Sequence, residues 1–125
     1  MDFIRKFNVA STGMEAQSRR LRVIAENIAN ADTPGFKRKV LSFEEAHQTG
    51  GVQVGGLALD QSPLPQVYDP SHPLANEDGY YEGSNVSLVI EVADAREAQR
   101  SYEANLRMFD QARQMASAVL DLIKR

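Results

Sequence analysis

Two long stripes of apolar residues, one near each end of the 125-residue chain, most constrain its fold. The first stripe runs at heptad spacing, which predicts an amphipathic helix with a narrow seam. Several residues in the first half of this stripe are poor helix formers that each cost a few tenths to about 1 kcal/mol relative to Ala, so we expect the helix to need a packing partner. The two seam positions hold Phe3, Ala10, Gln17 and Ile24, and Phe7, Met14, Leu21 and Ile28.

The second stripe occupies the C-terminal third of the chain, and Asn85 before it is predicted to be the N-cap of a helix. Five heptads give a helix on the order of 55 Å long at 1.5 Å per residue. Its principal seam position holds Leu88, Ala95, Tyr102, Phe109, Ala116 and Ile123, and the face is widened by Val92, Ala98, Asn105, Leu106, Ala112, Val119 and Leu120.

The two stripes can pair as an antiparallel, coiled-coil-like hairpin. Burying a large seam residue contributes roughly 1.5 to 3 kcal/mol, while ordering each residue costs about 1.5 kcal/mol, so two thin helices alone come out near balance. We therefore expect a marginal monomer whose apolar stripes are covered by other molecules. Gly13 and the small seam residues allow the close approach of further helices; these are Ala10, Ala95, Ala98, Ala112 and Ala116.

A helix stop follows the first stripe. Asn30 can close the helix, and Pro34 disfavours the helical region for the residue before it. Residues 33–36, Thr-Pro-Gly-Phe, fit a type II turn with Pro second and Gly35 supplying positive φ at the third position. The chain is therefore predicted to leave the helix axis here.

Between the stripes lies an irregular segment of short strand-like pieces separated by turn residues. These pieces are residues 40–43, 52–54, 57–59, 66–68 and 79–81, and the glycine pairs at 50–51 and 55–56 are interpreted as turns. The predicted fold is mainly α, with two long terminal helices and a small β-containing insert. The predicted segments are a helical polymerisation segment at 1–33, the insert at 34–85, and a second helical polymerisation segment at 86–125.

The charges are segregated along the chain. Residues 1–39 carry eight Lys/Arg against four Asp/Glu, residues 40–85 carry seven acids and no Lys or Arg, and residues 86–125 carry six of each. Opposite blocks on one chain suit self-association or complementary subunits. The boundary cations Lys37, Arg38 and Lys39 are expected to meet acids on the same or an adjacent subunit, and the candidates are Glu44, Glu45, Asp60 and Glu82.

No catalytic, metal or cofactor site is predicted. The chain has no Cys, and its two His residues lack close metal-ligand spacing. Ser71 and His72 near Asp69 are sequence neighbours in a Pro-flanked loop, which cannot easily form a nucleophile, base and orienting group. Nucleic-acid binding is disfavoured because no aromatic residues interleave the cations and the next segment is acidic.

The residues also resemble a known family. Residues 26–37, ENIANADTPGFK, resemble the N-terminal signature of bacterial flagellar rod, hook and hook-associated axial proteins. Three further stretches resemble proximal rod subunits of that family, and together they cover nearly the whole chain. They are MEAQSRRLRVIAENIANA at 14–31, VYDPSHPLANEDGYY at 67–81 and RSYEANLRMFDQARQM at 100–115.

The resemblance implies a structural subunit of the flagellar basal-body rod that is not an enzyme. It implies export through the flagellar type III apparatus without a cleaved signal peptide, and a place in the rod that spans the periplasm. The implied partners are further copies and rod subunits of the FlgB, FlgF, FlgG and FliE types, with no nucleic acid, small-molecule substrate, cofactor or membrane-spanning segment.

Under this interpretation, neighbouring subunits pack against the stripes. The predicted packing residues are Phe7, Met14, Leu21, Ile24, Ile28, Leu88, Tyr102, Leu106, Phe109, Val119 and Ile123. The family motif and helix break comprise Asn27, Asn30, Thr33, Pro34, Gly35 and Phe36. Two alternatives stay open, namely a soluble coiled-coil hairpin acting as an adaptor or export chaperone and, more remotely, a small hydrolase that uses His72.

Overall fold

The computed structural model describes residues 2–48 and 50–124, in which two long helices flank two small antiparallel sheets. Helix α1 spans Asp2–Ala29 and helix α2 spans Leu88–Lys124. Within these residues, no helix is long and apolar enough to cross a lipid bilayer. Strand β1 (Lys39–Ala46) pairs with β2 (Gly51–Leu59), and β3 (Gln66–Tyr68) pairs with β4 (Tyr80–Glu82). The predicted fold class, mainly α with a β-containing insert, is confirmed.

The helices form an antiparallel hairpin. The rings of Phe7 and Phe109 meet edge to face with their centroids 5.1 Å apart, and Asn27 near the end of α1 contacts Glu91 near the start of α2. Because α1 has 28 residues and α2 has 37, the last turns of α2 extend past the start of α1. We call residues 117–124 the overhang. The buried apolar residues are four alanines and one isoleucine, which are Ala10, Ala16, Ile24, Ala98 and Ala112.

Two of the weak helix formers in α1, Thr12 and Gly13, lie where α1 closely approaches the insert and α2. A Cβ atom added to Gly13 would come 2.6 Å from Asn105 Oδ1 on α2, so any other residue here would displace the Asn105 side chain. On the neighbouring face, the Val52 amide of β2 donates a hydrogen bond of 3.1 Å to the Thr12 hydroxyl. These residues therefore lower helix propensity but allow α1 to contact both α2 and the insert.

The predicted stop after α1 is confirmed. The helix ends at Ala29, and the Asn30 side-chain amide donates to the Glu26 carbonyl at 2.9 Å. The Phe36 amide donates to the Thr33 carbonyl at 3.2 Å, and Gly35 has a φ of 73°, as a type II turn requires. The chain then turns off the helix axis into β1.

The glycine pair at 55–56 is not a turn, contrary to prediction. Strand β2 is continuous through it, and the pairing changes from Ser42 opposite Gly56 to Phe43 opposite Val54. Gly55 is therefore the extra residue of a β-bulge, a position where one strand carries two residues against one. The two strand-like pieces at 52–54 and 57–59 belong to one strand.

Asn85 is not the N-cap of α2, which corrects a second prediction. The helix begins at Leu88, and the Ser87 carbonyl accepts the hydrogen bond from the Glu91 amide at 3.0 Å. Ser87 therefore occupies the N-cap position. The Asn85 side chain instead turns back towards the insert.

Candidate assembly surface and the polar joint behind it

The end of α1 is tied to β1 by the side chain of Asn27, which is 1% exposed. Its amide nitrogen Nδ2 donates to the Lys39 carbonyl at 2.9 Å, and its Oδ1 accepts from the Lys39 amide at 2.9 Å. Nδ2 also lies 3.4 Å from Glu91 Oε2 on α2. The Asn27 side chain thus forms hydrogen bonds with both the amide and the carbonyl of Lys39 in β1, and it also contacts α2.

Arg38 connects the insert to α2 through a buried ion pair. The Glu91 side chain is 0% exposed, and Arg38 Nε donates to its Oε1. Arg38 Nη2 donates to Asp94 Oδ2 at 2.8 Å. Burial alone would lower the pKa of the Arg38 guanidinium, but the hydrogen bond and charge of Glu91, with the nearby aspartates, raise it above its ordinary value. The guanidinium stays charged and compensates the buried carboxylate.

The Asn85 side chain connects Arg38 to the insert residues that follow β2. Its Oδ1 accepts from the Arg38 amide at 2.6 Å, and its Nδ2 donates to the carbonyls of Asp60 at 3.0 Å and Ser62 at 3.1 Å. The Asp60 amide donates to the Arg38 carbonyl at 2.7 Å. We call this cluster the polar joint, which comprises Asn27, Arg38, Asp60, Asn85, Glu91 and Asp94.

The Asp60 carboxylate lies at the rim of the joint. Hydrogen bonds from the hydroxyl and backbone amide of Ser62 hold the pKa of Asp60 below its ordinary value, and the charge of Arg38, whose Nη1 lies 3.7 Å away, adds to the effect. The carboxylate is therefore ionised at neutral pH. Because the polar groups of the joint bond to one another, its arrangement supports positioning of the insert on the hairpin.

The side chains of the three boundary cations contact different partners. Arg38 points into the joint, Lys39 pairs with Glu26 on α1, and the Lys37 ammonium lies 3.5 Å from Gln61 Oε1. Of the four acids named from the sequence, Asp60 is the one that pairs with a boundary cation among the described residues. The main carboxylate partners of Arg38 lie on α2.

The family motif divides between the joint and the helix stop. Asn27 belongs to the joint, whereas the Thr33 hydroxyl donates to Asn30 Oδ1 at 3.0 Å within the stop. The carbonyl of Phe36 accepts from the Asn85 amide at 3.3 Å, so the turn also contacts the segment before α2. The motif residues thus fix where the helix ends and where the chain goes next. The remaining motif residues, Pro34 and Gly35, form the centre of the turn.

The predicted packing residues fall into three groups. Phe7 and Phe109 contact each other, and Ile24 is buried inside the chain. Met14 and Leu21 are half-buried. Six others are exposed, and we call them the assembly surface; they are Ile28 (39% exposed), Leu88 (53%), Tyr102 (37%), Leu106 (42%), Val119 (41%) and Ile123 (74%).

The structure exposes further apolar side chains that the sequence analysis did not name as packing residues. Seven of them lie on α2, where they broaden the apolar surface beyond the predicted stripe, and most of the others lie on the insert. Those on α2 lie in its first turns, in the overhang and, at Met108 and Met115, between the two. They include Val89, Ile90, Met108, Met115, Leu120 and Leu122 on α2, and Ile4 on α1.

Sequence reasoning missed Glu91, Asp94 and Asn85 as joint residues. One signal pointed to Glu91, because it lies one heptad before Ala98 on the same seam position as Asn105 and Ala112, so a helix that buries those residues also buries Glu91. Asn85 carried no comparable signal, since its partners Asp60 and Ser62 lie across the insert.

The loop of Asp69, Ser71 and His72 forms a local turn. Asp69 Oδ1 accepts from the Ser71 hydroxyl at 2.7 Å, and His72 Nδ1 accepts from the Leu74 amide at 3.1 Å. The His72 ring stacks on Tyr81 with centroids 4.0 Å apart. The Ser71 hydroxyl is therefore bonded to the carboxylate rather than to the imidazole, unlike a nucleophile paired with its base. In the described part of the chain, no group of three or more His, Asp or Glu side chains is arranged to hold a metal ion.

Comparison with known proteins matches both helical ends. The family described as "Flagella basal body rod protein" matches residues 7–37, and the family described as "Flagellar basal body rod FlgEFG protein C-terminal" matches residues 77–122. The chain is 42% identical to the flagellar basal-body rod protein FlgC of Agrobacterium fabrum, over 93% of this chain and 91% of the relative. It is 35% and 34% identical to the FlgC proteins of Buchnera aphidicola and Salmonella typhimurium, over 98% of each chain.

The terminal helices, the motif at the helix stop and these matches define a structural protein of the flagellar basal-body rod. Such a protein is a component of the basal body, associates with other rod components and is not an enzyme. Within this class, the chain belongs to the FlgC family.

Proposed function

We propose that the chain is a subunit of the proximal rod and that its terminal helices polymerise with further copies and with sister rod subunits. The observation that carries the proposal is the assembly surface. Leu88, Leu106 and Ile123 remain 53%, 42% and 74% exposed although the hairpin is fully formed. Apolar surface that a chain cannot cover itself is typical of a protein interaction site.

Burial of this surface supplies the free energy of assembly. A large apolar side chain contributes roughly 1.5 to 3 kcal/mol when it passes from full exposure to full burial, and a half-exposed one contributes a share of that. Contacts that join different faces of successive copies produce a helical assembly when the rotation between copies does not close a ring. The hairpin thus provides a rod-like element whose outer side is covered only in the polymer.

The proposal extends to export and partners. The chain passes through the flagellar type III apparatus without a cleaved signal peptide, and it joins FlgB-, FlgF-, FlgG- and FliE-like subunits in the part of the rod that spans the periplasm. Support comes from the family motifs and from the segregated charges, since the positive block at residues 1–39 and the negative block at 40–85 favour contacts between subunits.

Two adjacent substitutions test the proposal. Leu106→Glu places a charge on the assembly surface. Arg107→Glu also introduces a glutamate, but on the side of α2 that faces away from α1. Each variant is expressed in a strain that lacks the chain, and motility and the presence of rods in isolated basal bodies are measured. We expect Leu106→Glu to abolish rods and Arg107→Glu to keep them, with similar thermal unfolding of both purified variants.

The soluble-adaptor alternative predicts a different result. A hairpin that acts alone would tolerate both substitutions, and labelled chain would not be present in isolated basal bodies. Normal rods with Leu106→Glu would contradict polymerisation through this surface.

A further inference from the structure

A second stripe of residues runs along α2 beside its buried face, and it carries no charge. At 100° per residue, seven residues between positions 101 and 122 lie within about 40° of one line, and none of them is Asp, Glu, Lys or Arg. This line lies about 60° to 100° around the helix from Ala112 and Ala98, which are buried inside the chain. We call these residues the methionine stripe; they are Ser101, Ala104, Met108, Gln111, Met115, Val119 and Leu122.

The spacing of the methionine stripe is typical of a surface on which helices pack. Its residues recur after three or four positions, as in a heptad seam. Ser101 is half-buried and the other six are exposed, with Met108 and Met115 each 42% exposed. Val119 also belongs to the assembly surface. The stripe is therefore part of the apolar surface of α2 that polymerisation covers under the proposed function.

The two methionines are the side chains of this stripe that oxidants attack most readily. The chain has no Cys and no Trp, and its other methionines are Met1 and Met14. Met14 is half-buried, so an oxidant in solution reaches it less easily. Oxidation turns the flexible, apolar thioether of methionine into a polar sulfoxide, which is unfavourable in an apolar contact.

We propose that Met108 and Met115 are oxidation sites that control assembly: a peroxide converts them to sulfoxides, which weaken the contacts of the methionine stripe in the polymer. This inference rests on the proposed function and names a chemical regulation of the same surface. In the reaction, a sulfur lone pair attacks one peroxide oxygen, an S–O bond forms and the O–O bond breaks. The leaving hydroxide takes the proton of the transferred oxygen and becomes water. Sulfur is thus oxidised by two electrons, and the peroxide is reduced.

The two sites act on the same contact because they lie close together. Met108 and Met115 are about 10 Å apart along α2 and about 20° apart around it, so a helix packed along the stripe covers both. A sulfoxide oxygen is hydrated on the free chain, but burial without a hydrogen-bond donor is unfavourable. Oxidation should therefore leave the fold of the free chain unchanged and reduce its association.

The first test treats the purified chain with hydrogen peroxide and follows each methionine by mass spectrometry of peptides. We expect Met108 and Met115 to be oxidised several-fold faster than Met14, with no loss of helix content by circular dichroism. Similar rates at the three sites would overturn the proposal. Loss of helix content as Met108 and Met115 are oxidised would also overturn it, since the effect would then be on the fold.

The second test compares the sedimentation of the chain, alone and with sister rod subunits, before and after oxidation. We expect the oxidised chain to require at least about tenfold higher concentration to associate, because an unpaired polar group is buried in the contact. Methionine sulfoxide reductases should restore association. The matched control, Met108→Leu/Met115→Leu, keeps a similar apolar volume and should associate equally well before and after peroxide treatment.

Each level of the argument has its own contradicting result. An equal loss of association in the control variant after peroxide treatment would overturn the proposal, since other residues would be responsible. Failure of the reductases to restore association of the native chain would overturn it independently of the variant. Undiminished association of the oxidised native chain would overturn it and leave the proposed function standing. No association of the unoxidised chain up to millimolar concentration, with or without sister subunits, would overturn both.

Discussion

The two ends of the helical hairpin are built in opposite ways. At one end, Asn27, Arg38 and Glu91 bury polar groups that bond to one another. At the other end, the overhang exposes Leu122 and Ile123 to 69% and 74%. The first end has a buried polar cluster whose groups bond within the chain, although Leu88 and Val89 remain exposed beside it, whereas the second end has exposed apolar side chains without such a cluster among the described residues.

This difference assigns separate tasks to the two ends. A buried ion pair adds little net stability compared with apolar residues, but breaking it is costly, so the joint fixes one arrangement of helix and insert. Exposed apolar surface contributes nothing to the isolated chain and becomes favourable when a partner covers it. We infer that the joint fixes the shape of the subunit and that the overhang drives its association.

Removing the charge partner of Glu91 should have the largest effect on stability. Arg38→Ala leaves the fully buried Glu91 carboxylate without its cation, and we expect the free energy of unfolding to fall by about 3 to 5 kcal/mol. Chemical denaturation monitored by circular dichroism measures the loss.

Lys37→Ala is the matched control for this experiment. Lys37 lies next to Arg38, but among the described residues its ammonium has one polar contact, with Gln61 Oε1 at 3.5 Å. We expect a change within about 0.5 kcal/mol. Equal losses from the two variants would show that the joint does not stabilise its end of the hairpin and would remove the contrast between the ends.

A substitution in the middle of the hairpin, at Gly13, should change stability by less, and the sign of the change should depend on Asn105. Gly13→Ala brings a methyl group against the Asn105 side chain, and we expect a loss of about 1 to 3 kcal/mol from overpacking. In an Asn105→Ala background, the same substitution should instead stabilise by up to about 1 kcal/mol, because Ala has the higher helix propensity. Thermal unfolding of the four-variant cycle checks this reversal of sign, and a loss in both backgrounds would contradict the close helix contact.

The smallest expected effect is the pH dependence of the stability that Asp60 contributes at the rim of the joint. Because the folded state lowers the pKa of Asp60, this carboxylate adds stability above its ordinary pKa and loses it as pH falls through the lower, folded pKa. We expect Asp60→Asn to be less stable than the native chain at neutral pH, with the difference shrinking below about pH 4. A difference that stays constant down to pH 2 would show that ionisation of Asp60 is not involved.

Much of the fold could be predicted because its signals are local. Heptad spacing gave both helices, and Pro34 followed by Gly35 gave the turn that ends the first one, since proline and glycine restrict their own backbone. The strand-like pieces were also found, but the bulge at Gly55 was not. A bulge depends on the register of the opposite strand, which a single segment does not specify.

The pairings within the joint could not be predicted because the partners are far apart in sequence. Arg38 and Glu91 are separated by 53 positions, and a glutamate between apolar residues is ordinarily interpreted as solvent-exposed. In α1, the buried seam includes Gly13 and Asn27 rather than Met14 and Ile28, because close approach and hydrogen bonding override hydrophobicity there. The residues of the assembly surface were predicted from apolar spacing together with the family resemblance, and their role stays a proposal.

Hydrogen–deuterium exchange of backbone amides, compared between the free chain and isolated rods, tests the contrast between the two ends most directly. We predict that in the free chain the amides around Asn27 and Lys39 are protected while those of residues 117–124 exchange quickly, since a helix end without packing opens readily. In rods, the overhang should become protected. Strong protection of the overhang in the dilute free chain, or fast exchange of the overhang in assembled rods, would contradict the account.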